Sequence, residues 1–130
     1  MKVLALDYGS ARTGVAVSDP TGTLARPLGI VERAGSESGL AEVVRLAREE
    51  EAERVVVGLP LTMRGTRGEQ AAETEQFVDT LRGVLDVPVE LFDERFTTDL
   101  AQQTAGSAPE DALAAAHLLS TYLEWCAARS

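Results

Sequence analysis

Carboxylates that end apolar segments are the residues of this chain best suited to chemistry. The segment 3–6 is apolar and ends on Asp7, which is followed by Tyr8 and Gly9. This pattern is typical of a strand that ends at the edge of a sheet, with the acid as its last residue. A desolvated carboxylate is costly unless it is paired or binds a metal ion, so Asp7 is the leading catalytic candidate. In isolation, an Asx turn that caps a hairpin explains Asp7 equally well.

A second pair of acids, Asp93 and Glu94, ends the strand-like segment 89–92. Ligands of open α/β sheets gather outside the carboxyl ends of the strands, so this pair and Asp7 are expected at one edge of the sheet. In isolation, either acid of the pair could instead form an ion pair with Arg95 or interact favourably with the dipole of the following helix. The expected convergence with Asp7 favours a functional site.

A third acid lies at the start of the last predicted helix. Ser107 and Glu110 have the spacing of a capping box, with Ser107 as the N-cap. Asp111 shares a helix face with Ala115 and Leu118. Because Glu110 already has a capping role, Asp111 is the acid expected to face inward. The alternative role of Asp111 is complementarity with the helix dipole alone.

The composition restricts this chemistry to oxygen donors. The chain has one cysteine and one histidine, which excludes disulfide frameworks, Cys/His zinc clusters and most histidine-dependent nucleophile schemes. The net charge of −9 and the single lysine argue against a general basic surface for nucleic acid, so a polyanion must be bound locally. No long apolar run or signal peptide is present, which predicts a cytoplasmic protein with no membrane partner. The length predicts a single domain over residues 1–130.

The predicted elements explain how these acids would be positioned. Strands are predicted over residues 2–8, 13–19 and 24–32, then a helix over 37–52, a strand over 54–58, a helix over 68–84, a strand over 87–92 and a helix over 112–128. The first three strands form antiparallel hairpins, whereas the later alternation of helices and strands requires parallel crossovers. The expected fold class is α/β, with a mixed five-stranded sheet flanked by helices.

Four ordered motifs resemble the YqgF/RuvX family of the ribonuclease H-like fold, over essentially the whole chain. They are Leu6–Gly9 with Arg12–Ala16, Val57–Leu61 with Gly65, Thr66 and Gly68, Asp93–Arg95 with Thr97 and Thr98, and Asp111–Ala115. Members of this family are described as Holliday junction resolvases and as nucleases that mature the 5′ end of pre-16S rRNA. The resemblance implies an acidic catalytic triad of Asp7, Glu94 and Asp111, with Asp93 as a neighbour of the site.

The resemblance implies a divalent-metal-dependent endonuclease that hydrolyses phosphodiester bonds in structured nucleic acid, with the 5′ end of precursor 16S rRNA as the expected substrate. Three carboxylates around one point suit Mg²⁺ or Mn²⁺, and two such ions would activate water and stabilise the leaving oxygen. Branched DNA is the alternative substrate. A non-catalytic nucleic-acid-binding module with the same fold is the alternative function. An actin-like ATPase is disfavoured, because such enzymes close two domains over nucleotide and this chain has the length of one.

Substrate contacts are predicted to come from arginines near the acids and from the loop after the fourth strand. That loop carries Thr62, Arg64 and Arg67 and leads into a helix N-terminus able to bind phosphate. On composition alone, it could equally be a flexible connector. Arg12 and Arg95 lie next to proposed catalytic acids, where each guanidinium either holds phosphate or forms an ordinary ion pair.

One departure from the family pattern affects substrate binding. The segment 98–111 is short, whereas relatives commonly carry a longer, basic loop there. One nucleic-acid contact is therefore expected to be missing or to come from a second subunit. Leu118 and Trp125, on the apolar last helix, would permit a homodimer face.

Overall fold

The structure, a computed structural model, describes residues 1–9, 11–59, 69–93 and 110–128. Its elements are β1 (Val3–Asp7), β2 (Arg12–Ser18), β3 (Ala25–Glu32), α1 (Glu37–Glu49), β4 (Arg54–Leu59), α2 (Glu69–Val84), β5 (Val89–Asp93) and α3 (Glu110–Ala128). The strand order is β3-β2-β1-β4-β5. The pairs β1–β2 and β2–β3 are antiparallel, and the pairs β1–β4 and β4–β5 are parallel. The predicted mixed five-stranded α/β sheet is confirmed.

Helices cover both faces of the sheet, because the central strands are apolar on both sides. In β1, Leu4 and Leu6 belong to the core formed with α1 and α2, whereas Val3 and Ala5 belong to the core formed with α3. This is the alternation that a strand imposes on successive side chains. Strands buried on both faces read as continuous apolar runs, and the run Val55–Val57 of β4 is of this kind.

The face beneath α3 has short side chains on its three central strands. Ala5 stands beside Ala16 of β2 and Val56 of β4 in the ladder. These short side chains leave room for the larger side chains of α3, and Leu118 and Tyr122 are almost completely buried against them. The prediction that Leu118 contributes to a homodimer face is therefore wrong, because its side chain packs inside its own chain.

Most element ends differ from the sequence predictions by one to three residues, and two of these differences have a clear physical cause. The helix α1 ends at Glu49 rather than at residue 52, because Glu50 caps it and Glu51 takes a positive φ of 54°. The strand β5 begins at Val89 rather than at residue 87. Pro88 has no N–H to donate to a ladder, so pairing through both backbone groups starts only after it.

Candidate active site

Asp7 ends β1 and lies half-buried at the carboxyl edge of the parallel strands. In the antiparallel ladder it stands opposite Gly14 of β2. One step beyond the Leu6–Val57 pair, Gly58 of β4 lies on its other side. Neither neighbouring strand therefore places a side chain directly beside Asp7 in the ladder. This placement of the two glycines was not among the sequence predictions.

The side chain of Asp7 lies on the α3 face of the sheet. Leu6 and Tyr8 belong to the core formed with α1 and α2, whereas Ala5 belongs to the core formed with α3. Because side chains alternate along a strand, Asp7 faces the same side as Ala5. The acid therefore points into the layer that contains α3.

The helix α3 runs from the candidate site towards the edge where β4 begins. Arg54, the first residue of β4, donates a hydrogen bond from Nη1 to the hydroxyl of Tyr122 at 2.7 Å. From this contact, the helix axis extends about 16 Å to Asp111, eleven residues before Tyr122. Over the same direction, β4 extends about 13 Å from Arg54 to Gly58, the neighbour of Asp7. The backbone of Asp111, in the first turn of α3, therefore reaches the level at which Asp7 lies.

The end of β5 lies at the same edge of the sheet. Phe92 pairs with Gly58, and Asp93 pairs with Leu59 as the last residue of β5. Adjacent strands are about 4.8 Å apart, so the backbone of Phe92 lies about 10 Å from that of Asp7, two strands away. The chain therefore leaves β5 at the edge that carries Asp7.

Arg12 is the second predicted site residue whose side chain the structure describes. It is exposed, begins β2 and stands opposite Glu32 of β3. Because Asp7 pairs with Gly14, Arg12 lies at the edge where β1 ends. The structure therefore brings Asp7 and Arg12 to one edge. The other predictions lie outside the described residues: Glu94, Thr62, Arg64, Arg67, Arg95, the Ser107 cap and the side chain of Asp111.

The turn after Asp7 is held by contacts that the sequence analysis missed. Thr13 is fully buried. Its Oγ1 accepts a hydrogen bond from the N–H of Gly9 and donates one to the carbonyl of Gly9, each at 3.4 Å. A Cβ on Gly9 would lie 2.5 Å from the carbonyl oxygen of Arg12, so this close approach requires glycine. The turn thus has a defined path immediately after the acid.

Tyr8 anchors the same turn from the opposite face of the sheet. Its ring is 8% exposed and stacks on Phe77 of α2, with centroids 4.5 Å apart and planes inclined by 27°. Burial, assisted by the charge of Glu73, raises the pKa of the Tyr8 phenol above its usual value. Tyr8 is therefore neutral at neutral pH. The positions of Leu4 and Leu6, four and two residues earlier, were a signal that Tyr8 belongs to the core.

Comparison with known proteins places the chain in a family. A family model described as "RuvX: Holliday junction resolvase" matches residues 1–125. The chain belongs to the RuvX family. A Chloroflexus aurantiacus relative named "Putative pre-16S rRNA nuclease" is 45% identical over 94% of this chain and 86% of its own length. A Syntrophomonas wolfei relative of the same name is 36% identical over 95% of this chain and 94% of its own length. The resemblance predicted from the four motifs is confirmed.

Solved structures with the same architecture include nucleases of the resolvase type. The structure of Thermus thermophilus RuvC matches with a TM-score of 0.59 and 17% identity, covering 97% of each chain. Fowlpox virus resolvase, crystallised with its substrate Holliday junction DNA, matches with a TM-score of 0.58 and 11% identity over 97% of this chain and 99% of its own. At such identities the likeness concerns the fold. It confirms the ribonuclease H-like fold that the RuvX resemblance implies.

Proposed function

We propose that this RuvX chain is a divalent-metal-dependent endonuclease that hydrolyses phosphodiester bonds, with the 5′ end of precursor 16S rRNA as its substrate. The family assignment and the names of the relatives support nuclease activity. One observation of the structure carries the proposal. A half-buried carboxylate, Asp7, ends β1 between two glycine-bearing strands and faces the layer in which α3 begins.

Mg²⁺ or Mn²⁺ is the proposed cofactor, held by Asp7 together with Glu94 and Asp111. Hard divalent cations take oxygen ligands, and carboxylates supply them without any histidine or cysteine. Among the residues whose side chains are described, no three His, Cys, Asp or Glu side chains form a cluster, and Asp7 is the one triad member included. When bound, the metal supplies an activated water and stabilises the leaving oxygen of the phosphodiester.

The protein groups around the proposed metal site bind the metal or the phosphates of the substrate. Asp7 stands between Gly14 and Gly58 at the sheet edge, and we assign it as the central ligand of the proposed site. Arg12, exposed at the same edge, holds a phosphate of the substrate backbone through its guanidinium. We assign further phosphate contacts to Thr62, Arg64 and Arg67, following the sequence prediction. Because the net charge is −9 and only these few cations neutralise phosphates, binding should be weak and should weaken further as the salt concentration rises.

Arg95 is the remaining proposed substrate contact. It follows Glu94 directly in the sequence, and the chain leaves β5 at the edge that carries Asp7. A guanidinium there would bind the phosphate next to the one undergoing cleavage.

Branched DNA is the second candidate substrate. The family description names Holliday junction resolvases, and the fowlpox virus resolvase of the same fold was crystallised with such DNA. Symmetric cleavage of a four-way junction needs two active sites, so this activity would require a dimer. The homodimer predicted from the sequence remains a proposal, and α3 does not offer the predicted Leu118 contact for it.

The cellular location of the protein and the extent of its nuclease domain are also proposals. No helix in the described ranges is long and apolar enough to cross a membrane. We propose a single nuclease domain over residues 1–130, and the cytoplasmic location stays a prediction.

A cleavage assay on three substrates tests this function. Labelled single-stranded RNA, a precursor-rRNA 5′ end and a four-way DNA junction are incubated with wild-type protein in Mg²⁺, Mn²⁺ or chelator. The proposal predicts metal-dependent product, greatest on the precursor-rRNA end. Glu94→Gln and Asp111→Asn should remove that product, whereas Glu124→Gln, an exposed position in α3, should retain it. Preference for the junction would favour the resolvase. Binding by folded protein without product would favour the non-catalytic module and refute the proposal.

A further inference from the structure

The outer side of α1 carries an apolar groove that is open in the described part of the chain. Leu40, Ala41 and Val44 line it, together with Val84 at the end of α2. The groove has a volume of about 570 Å³. Val84 is 44% exposed, a high value for a large apolar side chain. We call these four residues the α1 stripe.

Opposite charges lie at the two ends of the α1 stripe. Glu37 begins α1, and Arg48 lies in its last turn. Within the described residues neither one forms an ion pair, whereas Arg45, between them, pairs with Glu42 and Glu49 of the same helix. Each end charge suits the dipole of α1, but both also remain available to a partner.

The centre of the α1 stripe and its charged ends are complementary to themselves in an antiparallel arrangement. Glu37 and Arg48 are spaced equally about the midpoint between residues 42 and 43, and so are Ala41 and Val44. Two antiparallel copies of α1 that cross at this midpoint would place each Glu37 opposite the partner's Arg48. Each Ala41 would meet the partner's Val44, a small side chain against a larger one. Such a contact allows the helix axes to approach to about 8–10 Å.

We propose that a second copy of this chain docks on the α1 stripe and forms a two-fold homodimer through antiparallel α1 helices. A closed two-fold contact uses the same patch on both subunits, which is what a self-complementary stripe provides. A single pair of 13-residue helices buries less than the standard interface of about 800 Å² per partner, so the association is expected to be weak and concentration-dependent.

This dimer would leave both candidate active sites open. The buried side chains of α1 pack on the face of the sheet that carries Leu6 and Tyr8, whereas Asp7 faces the α3 side. The interface and the acid therefore lie on opposite faces of the sheet. The proposal is independent of the nuclease function and can be tested without any substrate.

Sedimentation equilibrium over about 5–500 μM protein tests the dimer at low salt. Wild-type protein should associate within this concentration range. Glu37→Arg and Arg48→Glu each place like charges opposite one another twice per dimer, and each should weaken association by about tenfold or more. The double variant Glu37→Arg/Arg48→Glu exchanges the charges and should restore association. Glu124→Arg, an exposed glutamate of α3, is the matched control and should leave it unchanged.

Three results would overturn the proposal. They are wild-type protein that is monomeric throughout the range, association that neither single variant weakens, and a double variant that associates no better than the single ones. Monomeric wild-type protein would indicate that the stripe binds another partner or none. Thermal unfolding of each variant establishes that the subunits are folded, and the exposure of Glu37 and Arg48 predicts melting temperatures close to wild type.

Discussion

Replacement of Tyr8 by alanine is expected to destabilise the fold strongly and to impair the adjacent acid. The Tyr8 ring is 8% exposed and stacks on Phe77 at 4.5 Å. Removal of a buried aromatic ring costs about 3–5 kcal/mol, to which the stacking geometry contributes about 0.5–1.5 kcal/mol. In a chain of 130 residues, each kcal/mol shifts Tm by about 3–5 °C. The melting temperature should therefore fall by about 10–20 °C.

Tyr8→Phe is the matched control, because it keeps the ring and removes only the hydroxyl. Its free energy of unfolding in urea should stay within about 1 kcal/mol of wild type. At a temperature where both variants are folded, Tyr8→Ala should reduce kcat about tenfold or more, since Asp7 is displaced when the turn loosens. Tyr8→Phe should cleave like wild type. A loss below about 1 kcal/mol in Tyr8→Ala, or equal losses in the two variants, would refute the anchoring role.

Three further predictions concern stability. Gly39→Ala should lower the free energy of unfolding because its Cβ would overlap a backbone carbonyl, whereas Gly83→Ala, in open space near the end of α2, should raise it by at most about 1 kcal/mol. Burial raises the pKa of Tyr122 to about 12. The unfolded chain ionises first as the pH rises above 10, so stability should fall between pH 10 and 12, and Tyr122→Phe should flatten that fall in urea titrations. A hydrogen bond from a threonine hydroxyl and others from two backbone N–H groups lower the pKa of Asp19 to about 2. Stability should therefore fall as the pH drops from about 4 to 2, and less steeply in Asp19→Asn.

Much of the fold follows from local patterns in the sequence. The runs that end at Asp7 and Leu59 are apolar at successive positions, which predicts strands buried on both faces, and both are central in the sheet. Short connections join the first three strands, which are therefore antiparallel. The connections to β4 and β5 are long and contain a helix, so these strands are parallel to β1. The end of α1 was misplaced because Glu51 is compatible with a helix by propensity, and its positive φ is set by the tertiary path of the chain.

The candidate site was only partly predictable from the residues themselves. The position of Asp7 at a strand end is a local pattern, and strand alternation assigns its face. The choice of Glu94 over Asp93 came from the family motifs, since both follow the same strand. The Tyr8–Phe77 stack joins residues far apart in sequence, so no local pattern reveals it. An apolar helix also does not show which element covers it, and Leu118 proved to be covered by its own sheet.

The most direct test of the nuclease assignment is the rate of metal-dependent cleavage by Asp7→Asn. This substitution keeps the shape of the side chain and removes its charge. Asp79→Asn, the same change at an exposed position in α2, is the control. With a labelled precursor-rRNA end in Mn²⁺, Asp7→Asn should yield no more product than wild-type protein with chelator, and Asp79→Asn should cleave at the wild-type rate. Cleavage by folded Asp7→Asn at the wild-type rate would contradict the account.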